Sequence, residues 1–521
     1  MELLDARRLT GPNLQLRGAG ALVELRFASP EEADRALPLL DLEHEALTRA
    51  LGLPPADLRR RRFIDREGRE GAALATPAPL DALYTALDAL ELAVQRVRAG
   101  LRGDDPGPLS AALPPLLAAR QREARPALLA LVAAAEARGL PVLVDDELCT
   151  LGHGARSITW PLGQLPAPDQ IPWSQLGAIP IALITGTNGK TTCSRLLARV
   201  VRCAGLRPGN TTTDGISVDE RVIEPGDWTG PAAARLVLRR PDVDIAVLET
   251  ARGGILRRGL APHRCDAALI TNISADHLGD YGVVDIDGMA QVKAVVTTVV
   301  APTGRVVLGA DSPPLCRLPR AFPAPLVWFS LSPDQPTPAA HHRRAAGEAW
   351  YVAEGQLVHA VGDHESPLIA VADVPSPSAA PPATTSKTPS PSPPSPTPST
   401  SRALPSSKPY AASPPAPATT LAASTSTSAA APASSSTSPT TLTASPPWEK
   451  SSTTSACATL AAVCSSASAS LEIAATTTSA PRPPPCSPSP LITSSSASYR
   501  TTYAAAPLEK SAITWSEPSP S

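Results

Sequence analysis

The chain has 521 residues, a net charge of −2 and 18% charged residues, so no overall basic field points to nucleic acid or to a membrane surface. No run of about eighteen residues is apolar throughout, and residues 1–13 lack a basic, apolar leader, which argues against a membrane-spanning helix or a signal peptide. Eight cysteines at irregular spacing, none in a CxxC pair, suit a reducing cytoplasm better than a disulfide framework or a metal site.

In chain order, residues 1–175 read as a small α+β domain. LQLRGAGALVELRF (14–27) alternates like a strand pair. Residues 30–53, 79–100 and 124–139 carry apolar side chains at helical spacing, and PVLVDDE (141–147) predicts a strand. By itself this region reads as scaffold or partner surface. From 176 to 374 short apolar runs alternate with helices. IPIALIT (179–185), DIAVLET (244–250), DAALITNI (266–273) and RVVLGA (305–310) predict buried strands, and TTCSRLLARVVRCAG (191–205) predicts a helix closed by Gly205. That alternation implies an α/β fold, a doubly wound and mostly parallel sheet covered on both faces.

The composition then breaks. All 32 glycines lie at or before Gly362, and residues 375–521 contain no Gly, Asp, Asn, Gln, His, Phe or Met. Ser, Thr, Ala and Pro make up roughly four-fifths of this stretch, too few large apolar side chains to bury a core.

The strongest chemical signal is GTNGKTT (186–192), set between a predicted strand and a predicted helix. Gly186 and Gly189 let backbone N–H groups converge on a phosphate, and the helix N-terminus adds a favourable dipole. Thr187, Asn188 and Thr192 complete the loop, Lys190 faces the β- and γ-phosphates of ATP, and Thr191 offers its hydroxyl to Mg²⁺.

The wording of TGTNGKTT, TTTDGISVDE, DWTGP, VLETARGGILRRGL, ITNISADHLGDYG and QVKAVV resembles the central domain of the Mur ligases. DWTGP and ETARGGILRRGL are most similar to the ligase half of cyanophycin synthetases, and LTGPN (9–13) and LGHGARSITW (151–160) resemble other parts of those enzymes. No ATP-grasp body follows the second fragment, because the phosphate loop begins about thirty residues later. The resemblance is dense over 178–312, weak over 1–175 and absent beyond 375. It implies that Glu249 reaches the nucleotide's Mg²⁺, that His277 ligates a second Mg²⁺, and that Lys293 is a carbamylated lysine holding that second metal. It also implies that Asn272 and Asp276 shape the site. For His277 and Lys293 the alternatives are a structural histidine and a surface lysine. Arg252, Arg257 and Arg258 form a basic edge for an acidic acceptor, or solvated charge. The implied activity is ATP-dependent amide formation through an acyl phosphate, with an amino acid or peptide as substrate. In cyanophycin synthetases this half adds arginine to an aspartate side chain.

Mur-type ligases close a third domain over ATP, and here the 375–521 stretch stands in its place. The usual codons of Ser, Thr, Ala and Pro (TCN, ACN, GCN and CCN) share C at the second base, so a one-base slip in a GC-rich gene produces this composition. Read in the offset frame, 384–391 permits HNVENALA, 419–427 DNPGRLNLY, 433–445 RVLVDFAHNPHGL and 472–474 GDR. These are C-terminal ligase motifs in family order. The sequence therefore predicts a frameshifted third domain; a disordered or mucin-like tail is the alternative. A poly-γ-glutamate or folylpolyglutamate-type ligase, a non-catalytic ATP-binding module and a P-loop kinase or GTPase stay open as functions.

Overall fold

The computed structural model describes residues 1–374 except 66, 277, 320 and 335–346. The expected frameshifted domain at 375–521 lies outside the described residues, and so does His277.

The N-terminal part is built from β1 (Glu2–Thr10), β2 (Ala19–Arg26), α1 (Pro30–Ala50), β3 (Arg59–Ile64), β4 (Glu70–Pro77) and α2 (Leu83–Arg102). The strands pair antiparallel in the order β1-β2-β4-β3. The alternating run at 14–27 supplies one strand rather than two. Asn13 Oδ1 accepts the N–H groups of Gln15 and Leu16, both at 2.9 Å, which turns the chain there. The partner strand is β1, whose polar sequence hides it. Arg7 of β1 is buried and donates to Glu24 of β2 at 2.7 Å, so the pair satisfies both charges inside the sheet. Ser29 caps α1 by accepting Glu32 N–H, followed by Pro30 at the first helical position.

Next come α3 (Leu109–Glu123) and α4 (Pro126–Glu136), then a small sheet of β5 (Val142–Val144), β6 (Leu148–Leu151) and β7 (Ile158–Pro161). Sequence pattern misses α3 because Pro114 and Pro115 read as breakers. Its last residue, Glu123, accepts the N–H groups of Tyr84 and Thr85, both at 2.8 Å, capping the start of α2.

The second part contains β8 (Ile181–Thr185), α5 (Lys190–Cys203), β9 (Pro208–Thr212), β10 (Gly215–Val218), β11 (Arg221–Pro225), α6 (Pro231–Leu238), β12 (Ile245–Glu249) and α7 (Arg252–Arg257). It continues with β13 (Cys265–Ile270), α8 (Ile286–Ala294), β14 (Val300–Gly309), α9 (Pro313–Arg317), β15 (Leu326–Ser330), β16 (Glu348–Ala353), β17 (Gln356–Val361) and β18 (His364–Ala370). Among the described residues, eleven strands join in the order β11-β10-β9-β12-β8-β13-β14-β15-β16-β17-β18. The run from β9 to β16 is parallel and both flanks are antiparallel, the α/β architecture that the strand–helix alternation predicts. Successive residues feed opposite cores: Leu183, Leu248 and Ile270 pack under α6, α7 and α8, while Ile184, Val247 and Leu269 pack under α5. Burial on both faces explains why these strands are continuously apolar.

The two parts are joined along family-like motifs. Thr10 N donates to Arg258 O and Leu260 N to Pro12 O, each at 2.7 Å. The backbones are so close that a Cβ on Gly11 would meet Leu260 O at 2.0 Å, and one on Gly259 would meet Gly11 O at 2.3 Å. LTGPN and GILRRGL are therefore two halves of one seam.

His153, in the 151–160 fragment, is 3% exposed and neither ring nitrogen has a hydrogen-bond partner. Burial, then the nearby His263, pushes its pKa down to about 4. The unfolded chain binds a proton at this site near pH 6.5 and the folded chain does not, so stability falls as pH drops from 6.5 towards 4. The full loss is about 3 kcal/mol. His153→Leu is expected to flatten the pH 4–6.5 limb of a denaturant-melt series while changing little at pH 8. An unchanged acid limb contradicts this assignment.

Candidate functional site

The phosphate loop leaves the C-terminal end of β8 between β12 and β13, the crevice where open parallel sheets bind ligands. Gly186 has φ +146° and Gly189, capping α5, has φ +82°, conformations that favour glycine. A Cβ on Gly186 would lie 1.8 Å from Thr271 Oγ1, so the loop is pressed against the segment after β13.

That segment holds the loop by hydrogen bonds. Thr187 N donates to Asn272 O at 2.9 Å and Asn188 N to Asn272 Oδ1 at 3.0 Å. Thr271 Oγ1 donates to Asn188 O at 2.6 Å, and Ser274 N to Thr187 Oγ1 at 3.0 Å. Asn272 thus holds the loop through both its backbone carbonyl and its side chain. Thr271 does as much and was missed, because a threonine at a strand end carries no chemical signature of its own.

Lys190 opens α5 and its Nζ donates to Thr187 O at 3.0 Å, so the amine stays over its own loop. Thr191 follows, donating to Glu249 Oε2 at 2.9 Å, with Thr213 Oγ1 3.1 Å away; Thr192 is half-buried in the same turn. Glu249, the last residue of β12, is 2% exposed, and its Oε1 has no hydrogen-bond partner. Burial raises its pKa, opposed by the Thr191 hydrogen bond and the Lys190 charge. A buried carboxylate oxygen left unpaired beside a threonine hydroxyl is a donor set suited to a hard divalent cation. Among the described residues no three His, Cys, Asp or Glu side chains group to hold a metal. Mg²⁺ needs no such cage, since it takes one or two protein oxygens and completes its shell with phosphate and water.

Lys293, in the last turn of α8, is 6% exposed rather than a surface lysine. Its Nζ donates to Gly186 O at 2.5 Å. Burial, then the charges of Lys190 and Arg252, pull its pKa down to about 7, with Asp276 opposing. The structure thus brings Lys190, Thr191, Glu249, Asn272 and Lys293 to one loop.

Of the three arginines after β12, Arg252 is half-buried and Arg257 and Arg258 are exposed, and each has a partner. Arg252 pairs with Asp280 at 2.8 Å, Arg257 Nε donates to Tyr281 Oη at 2.6 Å, and Arg258 donates to Arg8 O at 3.1 Å. A separate cavity of about 1060 Å³ lies between α1, the 53–58 loop and β3, with Gln291 of α8 also lining it.

With this geometry in place, the comparison with known proteins is direct. Residues 184–344 match the Mur ligase middle domain. The chain is further similar to cyanophycin synthetases. That of Synechocystis sp. is 48% identical over 173 residues, 33% of this chain and 20% of that protein. That of Crocosphaera subtropica is 41% identical over 209 residues, 39% of this chain and 24% of that protein. The matches therefore span 20% and 24% of these relatives' lengths. The UDP-N-acetylmuramoyl-L-alanyl-D-glutamate–2,6-diaminopimelate ligase of Chlamydia pneumoniae is 30% identical over 153 residues, 28% of this chain and 31% of that protein. A solved structure of a ligase of that name is 19% identical, covers 37% of this chain and 39% of its own, and superposes with a TM-score of 0.28. No described helix is long and apolar enough to cross a membrane.

Proposed function

We propose that this chain carries the nucleotide site of an ATP-dependent ligase that joins a carboxylate to an amino acid amine, of the cyanophycin-synthetase kind. The observation that carries this reading is the orphaned Glu249 Oε1, buried beside the Thr191 hydroxyl at the mouth of a phosphate loop. The loop N–H groups and Lys190 hold the triphosphate, and Thr191 and Glu249 hold its Mg²⁺. A substrate carboxylate attacks the γ-phosphorus, ADP leaves, and the resulting acyl phosphate is opened by the amine with loss of phosphate. Lys190 offsets negative charge as it develops on the phosphoryl oxygens. By family resemblance His277 joins the second metal site; it lies outside the described residues.

Residues 1–175 and 176–374 are read as separate domains, and 375–521 as the family's third domain displaced by one base. That last stretch lies outside the described residues, and its support is the order of motifs in the offset frame. The protein then works in the cytoplasm on an amino acid or peptide acceptor. ADP release with single amino acids tests the assignment. Release that needs both a carboxylate acceptor and an amine supports it, and release indifferent to any amine favours a kinase or GTPase. A folylpolyglutamate-type ligase demands glutamate as the amine. Nucleotide binding without turnover even in a frame-restored protein favours an ATP-binding module.

Lys293 offers a sharper test. At neutral pH about half of a buried amine with a pKa near 7 is uncharged and can add to CO₂, releasing one proton and forming a carbamate. The resulting anion has two oxygens to offer a second metal. Activity of a frame-restored protein is expected to fall on degassing and to return with bicarbonate. Lys293→Ala is expected to lose at least about a hundred-fold in turnover, with partial rescue by a small added carboxylate. A fully active alanine variant removes Lys293 from the site.

A further inference from the structure

The N-terminal sheet reaches across the seam to one short segment of the candidate site. Residues 279–282 form the turn that leads from the loop-binding segment 271–274 into α8, which carries Lys293. Tyr281 in that turn has φ +53° and ψ +39°, a left-handed conformation that a bulky L-residue adopts only when its surroundings impose it. Arg61 of β3 imposes it most directly. Its Nη1 donates to Gly282 O at 2.9 Å and its Nη2 to Tyr281 O at 3.1 Å, so one planar guanidinium spans two successive carbonyls. Arg7 of β1 lies over the Tyr281 ring, 4.9 Å from its centroid, and also donates to Leu256 O at 2.9 Å. Phe63, next but one to Arg61, closes the other side, where a Cβ on Gly282 would come within 2.8 Å of its ring. From the central part, Arg257 holds the Tyr281 hydroxyl and Arg252 holds Asp280.

The turn is one link in a closed circuit. Asn272 and Ser274 fix the chain to the phosphate loop before the turn. Asp285 caps α8 after it, accepting Gly288 N–H at 2.6 Å, and Lys293 returns to Gly186 O. Freeing the turn would therefore release α8 and the Lys293 amine without touching any group that faces the nucleotide.

We propose that Arg61, supported by Arg7, is a positioning residue through which the N-terminal domain sets the metal-side half of the nucleotide site. This rests on the nucleotide reading above and extends it to a role for residues 1–175. The full chain is tested as Arg61→Ala, with a non-hydrolysable ATP analogue titrated in Mg²⁺ and in EDTA, and with amide exchange followed in the nucleotide-free protein. Exchange across 279–285 is expected to quicken about ten-fold, and Mg²⁺-dependent affinity to fall about ten-fold, while affinity in EDTA stays within about two-fold. Arg61→Lys keeps the charge but not the two-carbonyl fork, and is expected to fall between the two; it replaces the alanine variant if that one does not fold. Wild-type Mg²⁺-dependent affinity in both variants overturns the proposal, as does an equal loss in Mg²⁺ and EDTA. Lys190→Ala run alongside separates the two failures: if it leaves analogue binding intact, the nucleotide reading itself is what fails.

Discussion

Lys190→Ala is expected to remove ATP turnover by about 10²–10³-fold in a frame-restored protein, and to weaken analogue binding by the unmodified chain. The amine already lies over the loop, bonded to Thr187 O, so a bound triphosphate has only to draw it across the loop. The neighbouring Lys293 is turned to Gly186 O, and burial pulls its pKa down to about 7. Truncation to alanine also leaves α5 with its glycine cap and a good helix former at its first position, so the loss should come without unfolding. The discriminating measurement pairs turnover with a thermal melt. Lost turnover at an unchanged melt supports the assignment, and retained turnover moves the nucleotide elsewhere, with the cavity beside α1 as the place to look.

The central part was legible because β8, β12, β13 and the second half of β14 are buried and written as nearly unbroken apolar runs, and because the loop between β8 and α5 must be glycine-rich to adopt its φ values. Lys190, Thr191 and Glu249 could be read for the same reason: their chemistry is local to strand ends. What stayed hidden depends on contacts distant in sequence. β1 is a polar strand whose buried Arg7 is paired with Asp5 and with Glu24 of the neighbouring strand, and the β3 arginines look like surface charge until Arg61 is seen to end on the carbonyls of 281 and 282. Arg252, Arg257 and Arg258 read from charge as a basic edge or as solvated charge, and sequence could not show that Asp280, Tyr281 and the Arg8 carbonyl engage them. Lys293 illustrates the limit in the other direction. Its helix gives no hint of burial, and only the family likeness of QVKAVV singled it out.

Restoring one base near codon 375 is expected to turn a chain without ligase turnover into one that has it. The described fold ends at β18 and a short turn at 371–373, after which the written sequence carries too few large apolar side chains to offset the entropy of ordering a domain. The offset frame supplies what is missing: VLVDFA has the pattern of a buried strand, and the asparagines of HNVENALA and DNPGRLNLY supply amide groups that can hydrogen-bond a nucleotide base. β18 itself is exposed along most of its length, including Leu368, and the restored domain would begin within a few residues of it. Two measurements decide the matter in order. Resequencing the locus must show nucleotides whose offset frame spells those motifs; any other spelling ends the idea at once. If it does spell them, the restored protein should gain a protease-resistant C-terminal fragment and amine-dependent ADP release together. Gain of the fragment without turnover would mean that the third domain is real but that the site built by Lys190, Glu249 and Lys293 does something other than ligation.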